Sequence, residues 1–277
     1  MLKKEDIRIR DPFIFTDVKN GCYYMYGTTA CYDHTLTTAP MLSVYRSEDL
    51  EHFDEGKVIF DGAAIDFWAD RDYWAPEMHF YNGKYYLFVS FKSSDRHRAT
   101  QILVCDTPEG RFVPVSDSPI TPPDWECLDG TFWIENDVPY MIFCHEWVQI
   151  GDGEIWAVPL KKDLSAPAGE PFYLFKASDN PDVTALRNKP GCYVTDGPFL
   201  FREKDKLKMI WSSFCNGRYL VLEAESECLH GEWRHKGSRY DWDGGHAMLF
   251  DRLDGTRMIS LHSPNKAGLE RAMFLEY

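Results

Sequence analysis

Long apolar runs are missing from this 277-residue chain, and no stretch approaches the roughly 18 residues that a membrane-spanning helix needs. Its first ten residues, MLKKEDIRIR, place no apolar segment behind their basic residues. They do not read as a secretory signal, and a cytoplasmic protein is expected. Positive charge is also short: 30 Lys and Arg stand against 44 Asp and Glu, giving a net charge of −14. Such a surface repels nucleic acid and anionic membranes, so neither is an expected partner. The eight cysteines include no CxxC pair, which argues against a metal cluster and for free thiols in a reducing compartment. No Ser-, Gly- or Pro-rich tract divides the chain, so residues 1–277 are expected to form a single domain. Aromatic residues, at 15%, are what it has in quantity, and they suit a neutral ligand that stacks on rings.

One unit recurs five times. Its copies begin RDPFIF (10–15), APEMHF (75–80), LDGTFWI (128–134), TDGPFLF (195–201) and GGHAMLF (244–250). Each leads through a turn (DVKNG, YNGK, ENDV, EKDK, RLDG) into a second apolar strand: 22–29, 84–91, 138–145, 206–214 and 257–263. Third strands are expected at 41–47, 100–106, 154–160, 219–226 and 271–277, and several copies add a short acidic turn and a fourth apolar segment. A four-stranded unit repeated five times predicts an all-β, five-bladed β-propeller, which protects its strand edges by radial repetition. The fifth copy stops after its third strand, and residues 2–9 are the expected source of its missing outer strand. In a propeller the first strands lie nearest the axis and run the same way, so their starts gather Asp11, Glu77, Asp129, Asp196 and His246 at one mouth of the channel.

These motifs together, RDPFIF, DYWAPEMHFYNGKYYLFVSF, LDGTFWIENDVPYMIF, DGPFLF and GGHAMLF, resemble glycoside hydrolase family 43 over nearly the whole chain. The resemblance implies a propeller that hydrolyses arabinofuranosides, xylosides or some galactosides with inversion. Inversion needs two carboxyl groups, one activating a water and one protonating the leaving oxygen. By the resemblance Asp11 is the general base, and Asp129 orients the acid and raises its pKa by its own charge. The structural alternatives are an Asx turn or strand cap before Pro12 for Asp11, and a turn aspartate before Gly130 for Asp129.

The general acid in the family is a Glu before Gly-Pro at the start of blade four, whereas this chain has Thr195-Asp196-Gly197-Pro198. The missing methylene draws the carboxyl back by about 1.5 Å, and a misplacement of that order can cost a hundredfold in rate. Three readings stay open. Asp196 is the acid on a shifted backbone, another residue has taken the role, or the protein binds sugar without turnover. The candidate replacement is Glu146, in the His145-Glu146-Trp147 cluster at the exit of a strand.

Further candidates for substrate contact are Trp74, Glu77, His145, Trp147, His246 and Arg271. Trp74 matches an aromatic position of the family pocket, and Phe67, Trp68 and Trp125 are other aromatics near the mouth. Arg271 could instead pair with Glu270 or Glu276. For His246 the resemblance suggests a neighbouring calcium ion or its water shell in the channel; a direct sugar contact and a hydrogen-bonded core histidine are the other readings. One histidine is poor evidence for an ion that prefers oxygen ligands, and no cofactor is required by the chemistry. The expected substrate is an oligosaccharide. The insertions at 61–74 and 178–194 suggest a walled pocket and exo action, releasing a terminal α-L-arabinofuranose. β-D-Xylosidase and β-D-galactofuranosidase activities are the alternatives, followed by a non-catalytic carbohydrate-binding propeller. The Trp125-Glu126-Cys127 triplet also occurs in sucrose-active propeller hydrolases, but there RDP follows an earlier nucleophilic Asp motif, and here it opens the first blade.

Overall fold

The computed structural model describes residues 1–29 and 41–277. Hairpins dominate because the turn chemistry permits them. Asn82-Gly83, Asn136-Asp137 and Asn216-Gly217 all adopt positive φ, as tight turns between twisted strands require. The hairpins assemble into five antiparallel sheets whose inner strands pack side by side around an axis, forming a five-bladed β-propeller. The inner strands are Arg10–Asp17, Arg71–Tyr81, Cys127–Glu135, Asp196–Glu203 and Gly245–Asp251. The second strands are Cys22–Thr28, Lys84–Lys92, Val138–His145, Lys206–Cys215 and Arg257–Ser263. Third strands follow at Met41–Ser47, Ala99–Cys105, Glu154–Pro159, Arg218–Ser226 and Arg271–Glu276. Most of these lie within one or two residues of the expected spans; the inner strand of blade two starts four residues earlier.

Closure of the ring differs from expectation. Leu2–Lys3 pairs with His52–Phe53 at the outside of blade one, and blade five keeps three strands. Residues 5–9 reach blade five through isolated contacts rather than a strand pairing: Arg271 donates to the Glu5 carbonyl, the Ile9 N–H to that of Glu270, and Arg8 Nε lies 3.9 Å from Glu270 Oε2. The outer-strand positions were therefore taken by blade one, where His52–Phe53 had an unpaired edge for a two-residue strand to cover.

Between the blades lies the core. Phe53, Phe88, Phe91, Phe143, Trp211, Tyr26 and Tyr219 are all but fully buried, and burial of each large apolar side chain stabilises the fold by roughly 1.5–3 kcal/mol. The aromatic-rich composition is explained largely by this packing. Phe67 and Trp68 pack with Phe60, Tyr73 and Phe91, and Trp125 stacks on His145 at 4.3 Å, so none of these three lines the mouth. The seven described cysteines are free thiols, and Cys31 lies outside the described residues. No described helix is long and apolar enough to cross a membrane.

Candidate active site

Every inner strand opens with the same irregularity. The pairing register slips between Arg10 and Phe13, Trp74 and Glu77, Leu128 and Thr131, Asp196 and Phe199, and Gly245 and Met248. Within each bulge the second residue has positive φ: Asp11 at 53°, Ala75 at 45°, Asp129 at 56°, Gly197 at 51° and His246 at 53°. Four of these are not glycine, and backbone strain of this kind persists only where the surroundings hold it. A bulge re-aims a side chain, and here Asp11, Asp129 and His246 line one cavity of about 540 Å³ at the mouth of the channel.

This frame corrects the equivalence read from the sequence. Ala75, not Glu77, is blade two's counterpart of Asp11, and Gly197, not Asp196, is blade four's. Asp196 stands one place earlier, level with Arg10, Trp74, Leu128 and Gly245. The shift of one residue presents its carboxyl from a different point on the backbone than Asp11 and Asp129.

The strained N–H groups are caught by neighbouring blades. Ala75 N–H donates to Thr28 Oγ1 (2.8 Å), Asp129 N–H to Ser90 Oγ (2.8 Å), His246 N–H to Ser212 Oγ (2.8 Å) and Asp11 N–H to His262 Nδ1 (3.3 Å). In each case the acceptor sits on the second strand of the preceding blade. The Gly197 N–H instead donates to the carboxylate of Asp129, at Oδ2 (3.0 Å).

The carboxyl groups occupy distinct environments. Asp11 accepts from Thr28 Oγ1 (2.7 Å) and lies 3.2 Å from His246 Nδ1 and 4.0 Å from Arg10 Nε. Burial works against its charge, but His246 and Arg10 overcome that and hold its carboxyl far below the usual range. His262, held neutral by burial, is the acceptor that Asp11 N–H requires. Asp129 is pushed well up by burial and then by the Asp11 charge. Asp196 is pushed up to about 7 by burial and by Asp129, while its Oδ2 accepts from the Tyr219 hydroxyl (3.0 Å). Burial also raises Glu146, against the pull of Arg98, whose Nε lies 3.1 Å from Glu146 Oε2.

Arg98 does more than hold Glu146. Its Nη1 donates to Asp72 Oδ2 (2.7 Å), and its guanidinium lies 3.9 Å from the ring centre of Trp74. One buried cation thus ties two carboxylates together and backs the indole on the cavity wall. Trp147, Val148, Leu186, Val194, Phe214 and Ala267 make the rim apolar. Leu186 and Val194 come from the insertion at 178–194, which is a wall as expected.

Three sequence candidates lie elsewhere. Arg271 is on the third strand of blade five, where its Nε and Nη1 donate to the carbonyls of Glu5 and Glu270. It neither lines the cavity nor makes the expected bond to a glutamate side chain. His145 is buried under Trp125 and shares a hydrogen bond with Gln149 Oε1 (2.8 Å), so it braces the short helix Trp147–Ile150 from behind. Glu77 is buried deeper in the channel. Burial pushes it up to about 8 and its partner His79 down to about 3, leaving a neutral pair 3.3 Å apart inside Phe13, Phe88 and Phe132. His246 turns Nδ1 to Asp11 (3.2 Å) and Asp129 (3.7 Å), and among the described residues no three His, Cys, Asp or Glu side chains group as direct metal ligands.

The family model described as "Glycosyl hydrolases family 43" matches residues 6–276. An endo-arabinase of Bacteroides thetaiotaomicron is similar over the whole chain and 96% of its own, with 39% identity and a TM-score of 0.91. A probable arabinan endo-1,5-α-L-arabinosidase C of Aspergillus clavatus is 25% identical over 157 residues, 52% of this chain, which spans 46% of that relative's length. An extracellular endo-α-(1→5)-L-arabinanase 1 of Bacillus subtilis is 22% identical over 260 residues, 87% of this chain and 72% of its own.

Proposed function

The chain belongs to glycosyl hydrolase family 43, and from that premise we propose that it is an inverting arabinanase that cuts α-1,5-linked L-arabinofuranose chains internally. The observation that carries the reading is the 39% identity to an endo-arabinase over the whole chain. Exo action, expected from the loop lengths, gives way to endo action for that reason. The cavity supports it as well. Across Trp147, Leu186 and Phe214 it continues into a second concavity of about 320 Å³ that also meets Arg187, Asn188 and Lys189, space for chain on the far side of the cut bond.

In this mechanism Asp11 is the general base, since His246 and Arg10 keep it ionised and ready to take a proton from water. Asp196 is the general acid. Buried beside Asp129, it keeps its proton up to about pH 7 and gives it to the leaving oxygen as the glycosidic bond breaks. Because the Tyr219 hydroxyl donates to Oδ2, the acid's proton is left to Oδ1. Asp129 and Asp196 stand as two buried carboxyl groups side by side, and because ionisation of either opposes that of the other, the pair retains a proton for the acid. Trp74, stiffened by Arg98, offers a flat apolar face to a sugar ring. Glu146 is committed to Arg98, which makes it the weaker candidate for proton donor.

Digestion of linear α-1,5-arabinan tests the reading. Endo action gives a fast fall in viscosity and a ladder of oligosaccharides, and NMR of the first product shows the inverted anomer. Release of arabinose alone would restore the exo reading, and failure to turn over arabinan or aryl arabinofuranosides would remove both.

A further inference from the structure

The catches on the strained N–H groups form a series with one break. Thr28, Ser90, Cys144, Ser212 and His262 hold equivalent places on the five second strands, opposite Arg10, Trp74, Leu128, Asp196 and Gly245 respectively. Four of them accept the N–H of the bulge residue in the next blade. A thiol is a weak acceptor, and at Cys144 the pattern fails: the Gly197 N–H goes to Asp129 Oδ2. Cys144 is fully buried, and its sulfur lies beside Thr195 and near both Asp129 and Asp196.

We propose that Cys144 is a positioning residue that works by withholding an acceptor, so that the amide following the acid Asp196 is bound by the carboxylate of Asp129. The break falls at the only blade junction where the two partners of the proposed acid chemistry meet. A hydroxyl at 144 would catch the Gly197 N–H as Ser90 and Ser212 catch theirs, and the backbone of Asp196 would no longer be tied to Asp129. The bond also helps Asp129 carry its charge, since an N–H donor favours the ionised form. Without it Asp129 takes up a proton more readily, repels Asp196 less, and lets Asp196 ionise at lower pH. The inference rests on Asp196 being the general acid.

The test is the pH profile of kcat/KM on an arabino-oligosaccharide for wild type, Cys144→Ser, Cys144→Ala and Asp196→Asn. Serine is expected to move the alkaline limb down by about half a pH unit, a threefold loss of activity well above the limb. Alanine, which removes the sulfur but adds no acceptor, leaves the limb in place. If the limb survives Asp196→Asn, the assignment of the acid fails and this inference with it. A limb that belongs to Asp196 but sits at the same pH in the serine and alanine variants overturns the inference alone. A readout on the wild type needs no variant to fold: the Gly197 amide resonance follows the titration of Asp129 and Asp196, whereas the Ala75 amide, held by a hydroxyl, does not. A Gly197 amide that ignores pH from 5 to 9 would also overturn it.

Discussion

Removal of the proton from position 196 is the most decisive perturbation. With its carboxyl pushed up to about 7, Asp196 is roughly 90% protonated at pH 6 and roughly 10% at pH 8. A raised carboxyl that must donate is competent below its pKa and lost above it, so kcat/KM on an oligosaccharide should fall about tenfold from pH 6 to 8. Asp196→Asn keeps the size and the Tyr219 contact but supplies no proton. It should cost about 10² to 10⁴ in rate, about 2.7 to 5.4 kcal/mol of transition-state stabilisation, and the alkaline limb should vanish. The same variant on a 2,4-dinitrophenyl arabinofuranoside, whose leaving group departs without help, should lose less than tenfold. Steady-state kinetics on the two substrates from pH 5 to 9, with Glu146→Gln alongside, provide the assay. Equal losses on both substrates with the limb intact would refute the assignment, and a leaving-group-selective loss in Glu146→Gln would transfer the role to Glu146.

In the proposed mechanism Asp11→Asn removes the group that activates water, so its loss, about 10² or more, should be the same for good and poor leaving groups; a selective loss would mean that Asp11 is not the base. Arg98→Met leaves Asp72 and Glu146 unpaired in a buried wall, an expected cost of about 3–5 kcal/mol and a fall in Tm on the order of 10 °C by calorimetry, with a raised KM as Trp74 loses its backing. An Arg98→Met protein as stable as wild type would show that the triad is not a buried network in solution.

Much of this was legible in the sequence, for physical reasons. Alternating apolar residues and Asn-Gly turns are local signals, and five copies of them required a closed radial fold. Asp11 and Asp129 could be placed because each lies within its blade's own motif. The bulge offset was not legible. APEMHF and TDGPFLF align with RDPFIF by eye, and only the register shows that Ala75 and Gly197 are the true counterparts of Asp11. Arg98 and Tyr219 were missed because each lies at or just before a third strand, far in sequence from the motifs it serves, and nothing in HRATQ or GRYLV marks either one. Arg271 and His145 were overread. Their residue types suit sugar binding, but a strand-end position does not say whether a side chain turns to the axis or to its neighbours.

The joint between the first and last blades has a consequence for how the protein comes to life. Asp11 is made before every other carboxylate of the pocket, yet its backbone is held by His262 and the next residue's carbonyl by Ser260, both from the last blade. No loop links those two blades, so the catch forms only when the two ends of the repeat series find each other. The proposed base is thus the first carboxylate of the pocket to be synthesised and the last to be set. A nascent chain carrying four finished blades holds every carboxylate of the pocket, but the proposed base is not yet held in place. Onset of hydrolysis would then serve as a clock for ring closure, readable in a refolding experiment without any added label.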